Sequence, residues 1–137
     1  MKYVFDACAL VAYFNGEEGD DVVEKILLDP KAEIAMHAIN LCEVYYGYAR
    51  TNGSRIANNV LKDCLEYGIE VYEEMDPKLW KAAGDIKASY PLSLADAFVA
   101  SLAKRLGATV VTSDHKEFTS LKSKKVCDVL FIRPPRR

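Results

Sequence analysis

The sequence alternates short runs rich in β-branched and aromatic residues with longer segments of helical periodicity. This alternation constrains the fold more than any other feature. The runs with strand character cover residues 3–5, 34–36, 69–72, 109–112 and 129–132. Helical patterns fill the intervals, and N-cap residues or glycine stops mark several of their ends. Such a pattern is typical of an α/β domain with a mainly parallel sheet and helices on both of its faces.

Length and composition fit one ordinary folded domain. The chain has 137 residues, of which 50% are hydrophobic and 28% charged, so we expect a single domain over 1–137. The longest apolar run, residues 7–14, is far shorter than the ~20 residues that cross a bilayer. Asp6 interrupts the apolar stretch near the N-terminus, and four acidic residues between 17 and 21 follow it, unlike a secretory signal. We therefore expect a cytoplasmic protein with no membrane partner.

Charge is divided unevenly along the chain. Residues 1–76 carry a formal balance of −9, and residues 77–137 carry +7. A basic C-terminal half indicates a polyanionic partner such as nucleic acid. The alternative is an ordinary solvated surface that ends in a short basic tail, 133–137, and charge alone favours neither.

Four carboxylates are predicted to lie at one edge of the sheet. Asp6 directly follows the first strand and Asp114 the fourth, while Glu43 and Asp96 lie early in helices. Helices that follow parallel strands begin at the edge where those strands end, and ligands bind outside that edge. Each acid also has a structural interpretation. Asp6 and Asp114 could be turn or cap residues, Ser93-x-x-Asp96 fits a capping box, and Glu43 could belong to a narrow solvent-exposed face of its helix.

A cluster of four acids predicts a divalent cation. Two carboxylates about 4 Å apart repel by roughly 4 kcal/mol at an effective dielectric of 20, and a cation removes that cost. Oxygen ligands favour Mg²⁺ or Mn²⁺. Zinc is disfavoured because the chain has only two histidines, His37 and His115, and no C-x-x-C pair among its four cysteines.

The segments that hold these acids resemble the PIN-domain ribonucleases, and their order and spacing are similar to the VapC-type toxins of toxin–antitoxin modules. The segments are Asp6 with its strand, 40–47, 94–100 and 112–114. The resemblance covers essentially the whole chain. It implies a three-layer, Rossmann-like domain with five strands in the order 3-2-1-4-5.

The resemblance also implies an activity, that of a metal-dependent endoribonuclease, the toxin of a toxin–antitoxin module. Its catalytic acids fall on Asp6, Glu43, Asp96 and Asp114. Three of them, Asp6, Asp96 and Asp114, are expected to bind Mg²⁺ or Mn²⁺ directly. Glu43 is expected to act as a ligand through water or as a base. Further residues expected to contact substrate or to support the ligands are Asn40, Thr112, Ser113 and Glu117.

The sequence departs from the family pattern at three places. Ala7 and Cys8 stand where the family usually has Thr or Ser followed by Ser or Asn. Asn40 replaces a usual hydroxyl residue. The acid that often follows the last Asp closely is represented by Glu117, three residues on.

The expected partners are an RNA substrate, an antitoxin and a second copy of the chain. By resemblance, an antitoxin segment would enter the cleft between the Glu43 helix and the acidic edge, where its arginine would pair with the carboxylates. A homodimer is predicted because the segment with Val44, Tyr45, Tyr46 and Tyr48 carries more aromatic surface than one core face can accommodate.

Other classes fit less well. A receiver domain needs adjacent acids after the first strand, and a haloacid-dehalogenase-type phosphatase needs D-x-D there, whereas the chain has Asp6-Ala7-Cys8. No G-x-G-x-x-G or Walker A loop is present. The remaining alternative is a degenerate PIN domain that binds RNA or protein without catalysis.

Overall fold

The computed structural model describes residues 1–136, so Arg137, the end of the predicted basic tail, lies outside the described residues. The five strands are β1 Lys2–Phe5, β2 Glu33–His37, β3 Glu70–Tyr72, β4 Thr109–Thr112 and β5 Asp128–Phe131. The helices are α1 Ala7–Phe14, α2 Asp20–Leu27, α3 Ala38–Asn52, α4 Ser54–Glu66, α5 Pro77–Ser89, α6 Leu94–Leu106 and α7 His115–Ser123.

The five strands form one sheet in the order β3-β2-β1-β4-β5, and every pair is parallel. The predicted fold class and strand order are therefore confirmed. β1 is central and pairs with β2 on one side and β4 on the other, with Val4 opposite both Ala35 and Val110. The carboxyl ends of β1 and β4 thus lie side by side at one edge of the sheet.

Helices cover both faces of the sheet because successive strand side chains point in opposite directions. Val4 and Val110 belong to a core with α5, α6 and α7, in which Leu79, Phe98 and Phe118 are buried. The residues that follow them, Phe5 and Val111, belong to a second core. Its helical members come from α1, α2, α3 and α4, for example Leu10, Val23, Val44 and Val60. The result is the predicted three-layer arrangement.

Local capping explains where the helices begin and end. Asp6, Asp76, Ser93 and Asp114 each accept a main-chain N–H of the helix that follows, and Gly107 ends α6 in the left-handed conformation. The cap at Asp114 makes α7 longer than the predicted short helix around 117–121.

At Gly19, just before α2, the chain packs closely against Ile132, which follows β5. A Cβ atom at this position would lie 2.7 Å from the carbonyl oxygen of Ile132, and φ is +98°. Only glycine permits this approach. It brings the acidic segment before α2 against the residues that follow β5.

No helix within residues 1–136 combines the length and the apolar character needed to cross a membrane.

Candidate active site

The carboxyl edge of the sheet is where the predicted acids lie. Asp6 and Asp114 follow β1 and β4, and each is the N-cap of the next helix. Asp96 lies in the first turn of α6, and Glu43 in the second turn of α3. The parallel arrangement of the strands thus brings together parts of the chain that are distant in sequence.

Thr112 links the ends of the two central strands. Its hydroxyl donates a hydrogen bond to Asp6 Oδ2 and accepts one from the main-chain N–H of Asp114 at 2.9 Å. The other oxygen of Asp6 accepts the N–H of Ala9 at 2.9 Å. Asp6 is only 1% exposed, so its carboxylate is fixed in place by two donors.

A close group of three carboxylates stands beside this link. One oxygen from each of Asp96, Asp114 and Glu117 lies within 4.8 Å of the others, and all three residues are half-buried. Glu117, expected from sequence to contact substrate or support the ligands, lies inside this group. Asp6 and Glu43 lie outside it, and their roles as ligands stay predictions.

The hydrogen bonds at the start of α6 leave the Asp96 carboxylate available. Ser93 Oγ accepts the Asp96 N–H at 3.1 Å, as a capping box requires. The N–H of Ser93, however, donates to Glu117 Oε2 at 3.2 Å and not to Asp96. Asp96 therefore does not complete the capping box that its spacing suggests, because Glu117 of α7 takes that place.

Asn40 positions Glu43 at the side of the cluster. The Asn40 side chain is fully buried, and its amide donates to the carbonyl oxygen of Ala95 at 3.1 Å and to Glu43 Oε1 at 3.5 Å. α3 is thereby tied to the start of α6. Among residues 1–136, Asn40 Oδ1 is the one fully buried side-chain polar atom without a partner.

Burial and mutual repulsion raise the pKa of the acids. Burial is the largest cause for both Asp6 and Asp96, and it raises the pKa of each carboxyl to about 7. Glu117, Glu43 and Asp114 add repulsion at Asp96. Burial also raises the pKa of Glu43, although its bond from Asn40 opposes this. The hydrogen bonds at this edge therefore do not fully stabilise the charged forms of these carboxylates.

The donor set fits a hard divalent cation. Carboxylate oxygens are the ligands that Mg²⁺ and Mn²⁺ prefer. Cys8, in the first turn of α1, is the sulfur beside these acids. Burial, with repulsion from Asp6 and the other acids, raises the pKa of its thiol to about 12, so it offers no thiolate at neutral pH.

Two cavities adjoin the acidic edge. One of about 310 Å³ is lined by Asp114 and by three cationic side chains, Lys116, Arg133 and Arg136. The other, of about 280 Å³, is lined by Glu43, Tyr46, Ala7, Val11 and Glu17. Both cavities share Cys8, Ser113 and Arg133. Sequence reasoning predicted Ser113 here. It assigned Arg133 only to a basic tail and gave Glu17 no role at the site, although Arg133 follows β5 at the same edge.

The aromatic surface of α3, on which the homodimer prediction rests, is smaller than expected. Val44 is fully buried, and Tyr48 donates a hydrogen bond to Asn15 at 2.7 Å. Tyr46 is 47% exposed, with the Arg50 guanidinium 5.5 Å from its ring centroid. Tyr45 is half-buried, so Tyr46 is the most exposed side chain of the surface on which the homodimer was predicted.

Comparison with known proteins agrees with this fold. The family model described as PIN domain matches residues 3–124. A search of curated protein sequences gave no match. Among solved structures, VapBC2 from Rickettsia felis bound to a promoter DNA fragment aligns with a TM-score of 0.73 at 19% identity, covering 96% of this chain and 98% of that one.

Two further structures are similar. DNA-bound VapBC from Salmonella typhimurium aligns with a TM-score of 0.73 at 19% identity, over 97% of this chain and 99% of that chain. VapC20 from Mycobacterium tuberculosis, described as a toxin that cleaves the sarcin–ricin loop, aligns with a TM-score of 0.68 at 15% identity, over 88% and 94%. At these identities the likeness is one of fold.

Proposed function

Because the chain belongs to the PIN domain family, we propose that it is a metal-dependent endoribonuclease that hydrolyses RNA phosphodiester bonds as the toxin of a toxin–antitoxin module. The observation that carries the proposal is the close group formed by Asp96, Asp114 and Glu117. It stands beside Asp6 at the edge where α/β sheets bind ligands. Fixed carboxylates with raised pKa values are expected where a cation is to be bound.

Mg²⁺ or Mn²⁺ is the proposed cofactor. Asp96, Asp114 and Glu117 would hold it, with Asp6 as a further ligand and Glu43 as a ligand through water or as a base. When bound, such an ion acts as a Lewis acid on phosphate oxygens and lowers the pKa of bound water. In the two-metal form of this chemistry, the product carries 5′-phosphate and 3′-hydroxyl ends.

The protein's own residues orient the reaction. Thr112 fixes the Asp6 carboxylate, and Asn40 holds Glu43 at the side of the cluster. Glu43 has a raised pKa and is half-buried, which suits a group that accepts a proton from the attacking water. The cationic residues of the neighbouring cavity offset the repulsion between RNA phosphates and the acids.

We further propose an antitoxin partner. The similar proteins from Rickettsia felis and Salmonella typhimurium are VapBC assemblies. On this chain, the cavity between Glu43 and the acidic edge, with Tyr46 and Val11 in its lining, suits a partner segment whose arginine pairs with the carboxylates. A complex in which the carboxylates stay open to solvent would contradict this part of the proposal.

The test is cleavage of a mixture of structured and single-stranded RNAs by Asp114→Asn and Asp96→Asn. Each substitution keeps the size of the side chain and removes the charge that holds the cation. We expect a loss of at least a hundredfold in rate, and Asp6→Asn should behave similarly. Glu43→Gln should also be severely impaired. Asp85→Asn, an exposed residue of α5, is the matched control and should cleave normally.

Chelation provides the second arm of this test. EDTA should stop the wild-type protein, Mg²⁺ or Mn²⁺ should restore it, and Zn²⁺ should be a poor substitute. Cleavage that persists in Asp114→Asn, or that is insensitive to EDTA, would contradict the proposal. A metal titration of the Asn variants separates this function from that of a non-catalytic binding module, for which the acids would be dispensable.

A further inference from the structure

Arg133 lies between the two cavities that adjoin the carboxylates and lines both of them. We propose that Arg133 binds a backbone phosphate of an RNA strand that passes from one cavity to the other across the acidic edge. This inference rests on the proposed function, because it assigns one contact of the RNA substrate to a particular side chain.

Hydrogen bonds hold both the guanidinium and the main-chain carbonyl group of Arg133. Nη1 donates to Glu17 Oε1 at 3.3 Å and to the carbonyl oxygen of Glu18 at 3.1 Å. His115 Nε2 lies 2.7 Å from the Arg133 carbonyl oxygen, and the His115 ring stacks on Phe131 with centroids 3.8 Å apart. A guanidinium held in this way loses little freedom on binding a ligand.

The guanidinium still has donors to offer. It carries five N–H groups, and the bonds that the structure gives it all start from Nη1. Nε and Nη2 donate none of these bonds. The side chain is 9% exposed and is part of the lining of both cavities, so Arg133 reaches solvent there. A pair of adjacent N–H donors matches the oxygens of a phosphodiester.

The electrostatics of the edge favour a phosphate at this point. The acids repel a polyanion until a cation is bound, and even then RNA needs positive charge along its path. Lys116 and Arg136 line the cavity on one side of Arg133 and extend the positive charge there. On the other side Glu17 and Glu43 are acidic, so Arg133 is the cation that the two cavities share.

Binding can be measured without cleavage. The experiment uses fluorescence anisotropy of a labelled single-stranded RNA of mixed sequence with Mg²⁺, in the Asp96→Asn background. We expect Arg133→Gln to weaken binding roughly tenfold. The slope of log affinity against log salt should fall by about 0.7, the value for one phosphate contact on a single strand. Lys104→Gln, an exposed residue in the last turn of α6, should change neither quantity.

Two further variants separate RNA binding from a structural role. Arg133→Lys keeps the charge without the paired donors, so it should retain the salt slope and lose affinity severalfold. It also serves as the test if Arg133→Gln does not fold. Glu17→Gln breaks the ion pair but leaves Arg133 in place, and it should bind RNA at least as tightly as its parent.

An unchanged salt slope in Arg133→Gln would overturn the inference, and so would an equal loss of RNA binding in Glu17→Gln. The inference and the proposed function can fail independently. A wild-type protein that shows the Arg133-dependent slope but cleaves no RNA keeps the phosphate contact and refutes the nuclease. If cleavage depends on the acids and RNA binding is independent of Arg133, the nuclease function is supported and the phosphate contact is refuted.

Discussion

The hydroxyl of Thr112 donates a hydrogen bond to the carboxylate of Asp6, joining the end of β4 to the end of the central strand. Both side chains are buried, and the same hydroxyl accepts the N–H of Asp114. One oxygen atom therefore links the two strand-end acids through hydrogen bonds to both of them.

Removing that oxygen should cost both stability and cation binding. In Thr112→Val, Asp6 loses a donor and the Asp114 N–H loses its acceptor. We expect the free energy of unfolding to fall by about 1–3 kcal/mol. The Thr112 bond lowers the pKa of Asp6, so its loss should also weaken Mn²⁺ binding near neutral pH. Urea denaturation and calorimetry measure the two effects. Thr112→Ser keeps the hydroxyl, and equal behaviour of the Val and Ser variants would contradict the prediction.

The metal-free protein should become less stable as the pH rises from about 4 to about 8. The pKa values of Asp6 and Asp96 are raised from 3.8 to about 7 in the folded state. The folded state therefore binds more protons than the unfolded state in this interval, and the free energy of unfolding falls with pH. A shift of this size corresponds to about 4 kcal/mol for one group, and interaction between the two makes their sum smaller.

This pH dependence can be measured by urea denaturation in EDTA. Asp96→Asn should flatten the curve and be more stable than wild type at pH 8, because it removes the raised pKa and the repulsion. Asp63→Asn, an exposed residue of α4, should leave the curve unchanged. A wild-type protein that gains stability between pH 5 and pH 8 would show that burial does not act on these acids as described.

Glu117→Gln should weaken cation binding without loss of the fold. The carbonyl oxygen of Gln can still accept the N–H of Ser93, as Glu117 does, but the charge beside Asp96 and Asp114 is gone. We expect Mn²⁺ affinity at pH 8 to fall by about 10- to 100-fold. Isothermal titration calorimetry measures it, with Glu66→Gln on the exposed face of α4 as the matched control. An unchanged affinity would exclude Glu117 from the cation site.

The predicted homodimer now depends on Tyr46. If the α3 surface forms the interface, Tyr46→Ser should shift the protein towards monomer in sedimentation velocity at micromolar concentration. Trp80→Ser is the matched control, because Trp80 on α5 is exposed to a similar degree, 46% against 47%. A wild-type protein that is monomeric at this concentration would refute the prediction.

The location of the acids at one edge of the sheet could be predicted because it depends on topology. A parallel sheet places the residues after β1 and β4 at one edge, and the strand order places Asp6 and Asp114 on neighbouring strands. Those inferences need the strand runs and the resemblance, and they do not depend on side-chain direction.

That Glu117 joins Asp96 and Asp114 in the close group, while Asp6 lies outside it, could not be predicted, because it depends on hydrogen bonds between elements. The N–H of Ser93 binds Glu117 and not Asp96, which draws α7 towards α6. Arg133 is likewise placed by Glu17, 116 positions earlier in the chain. No periodicity or spacing in the sequence records such contacts. The approach of Gly19 to Ile132 that brings these two segments together is visible only in three dimensions.

The N-caps of α1 and α7 have a consequence for how this protein can change over generations. Asp6 and Asp114 each accept a helix N–H, and asparagine accepts the same bond as well as aspartate does. A single-base transition converts either aspartate codon into an asparagine codon. At Asp114, whose side chain accepts this one bond, the proposed catalysis can therefore be lost in one mutational step that selection for folding does not oppose, leaving a descendant with an intact surface and a less acidic edge.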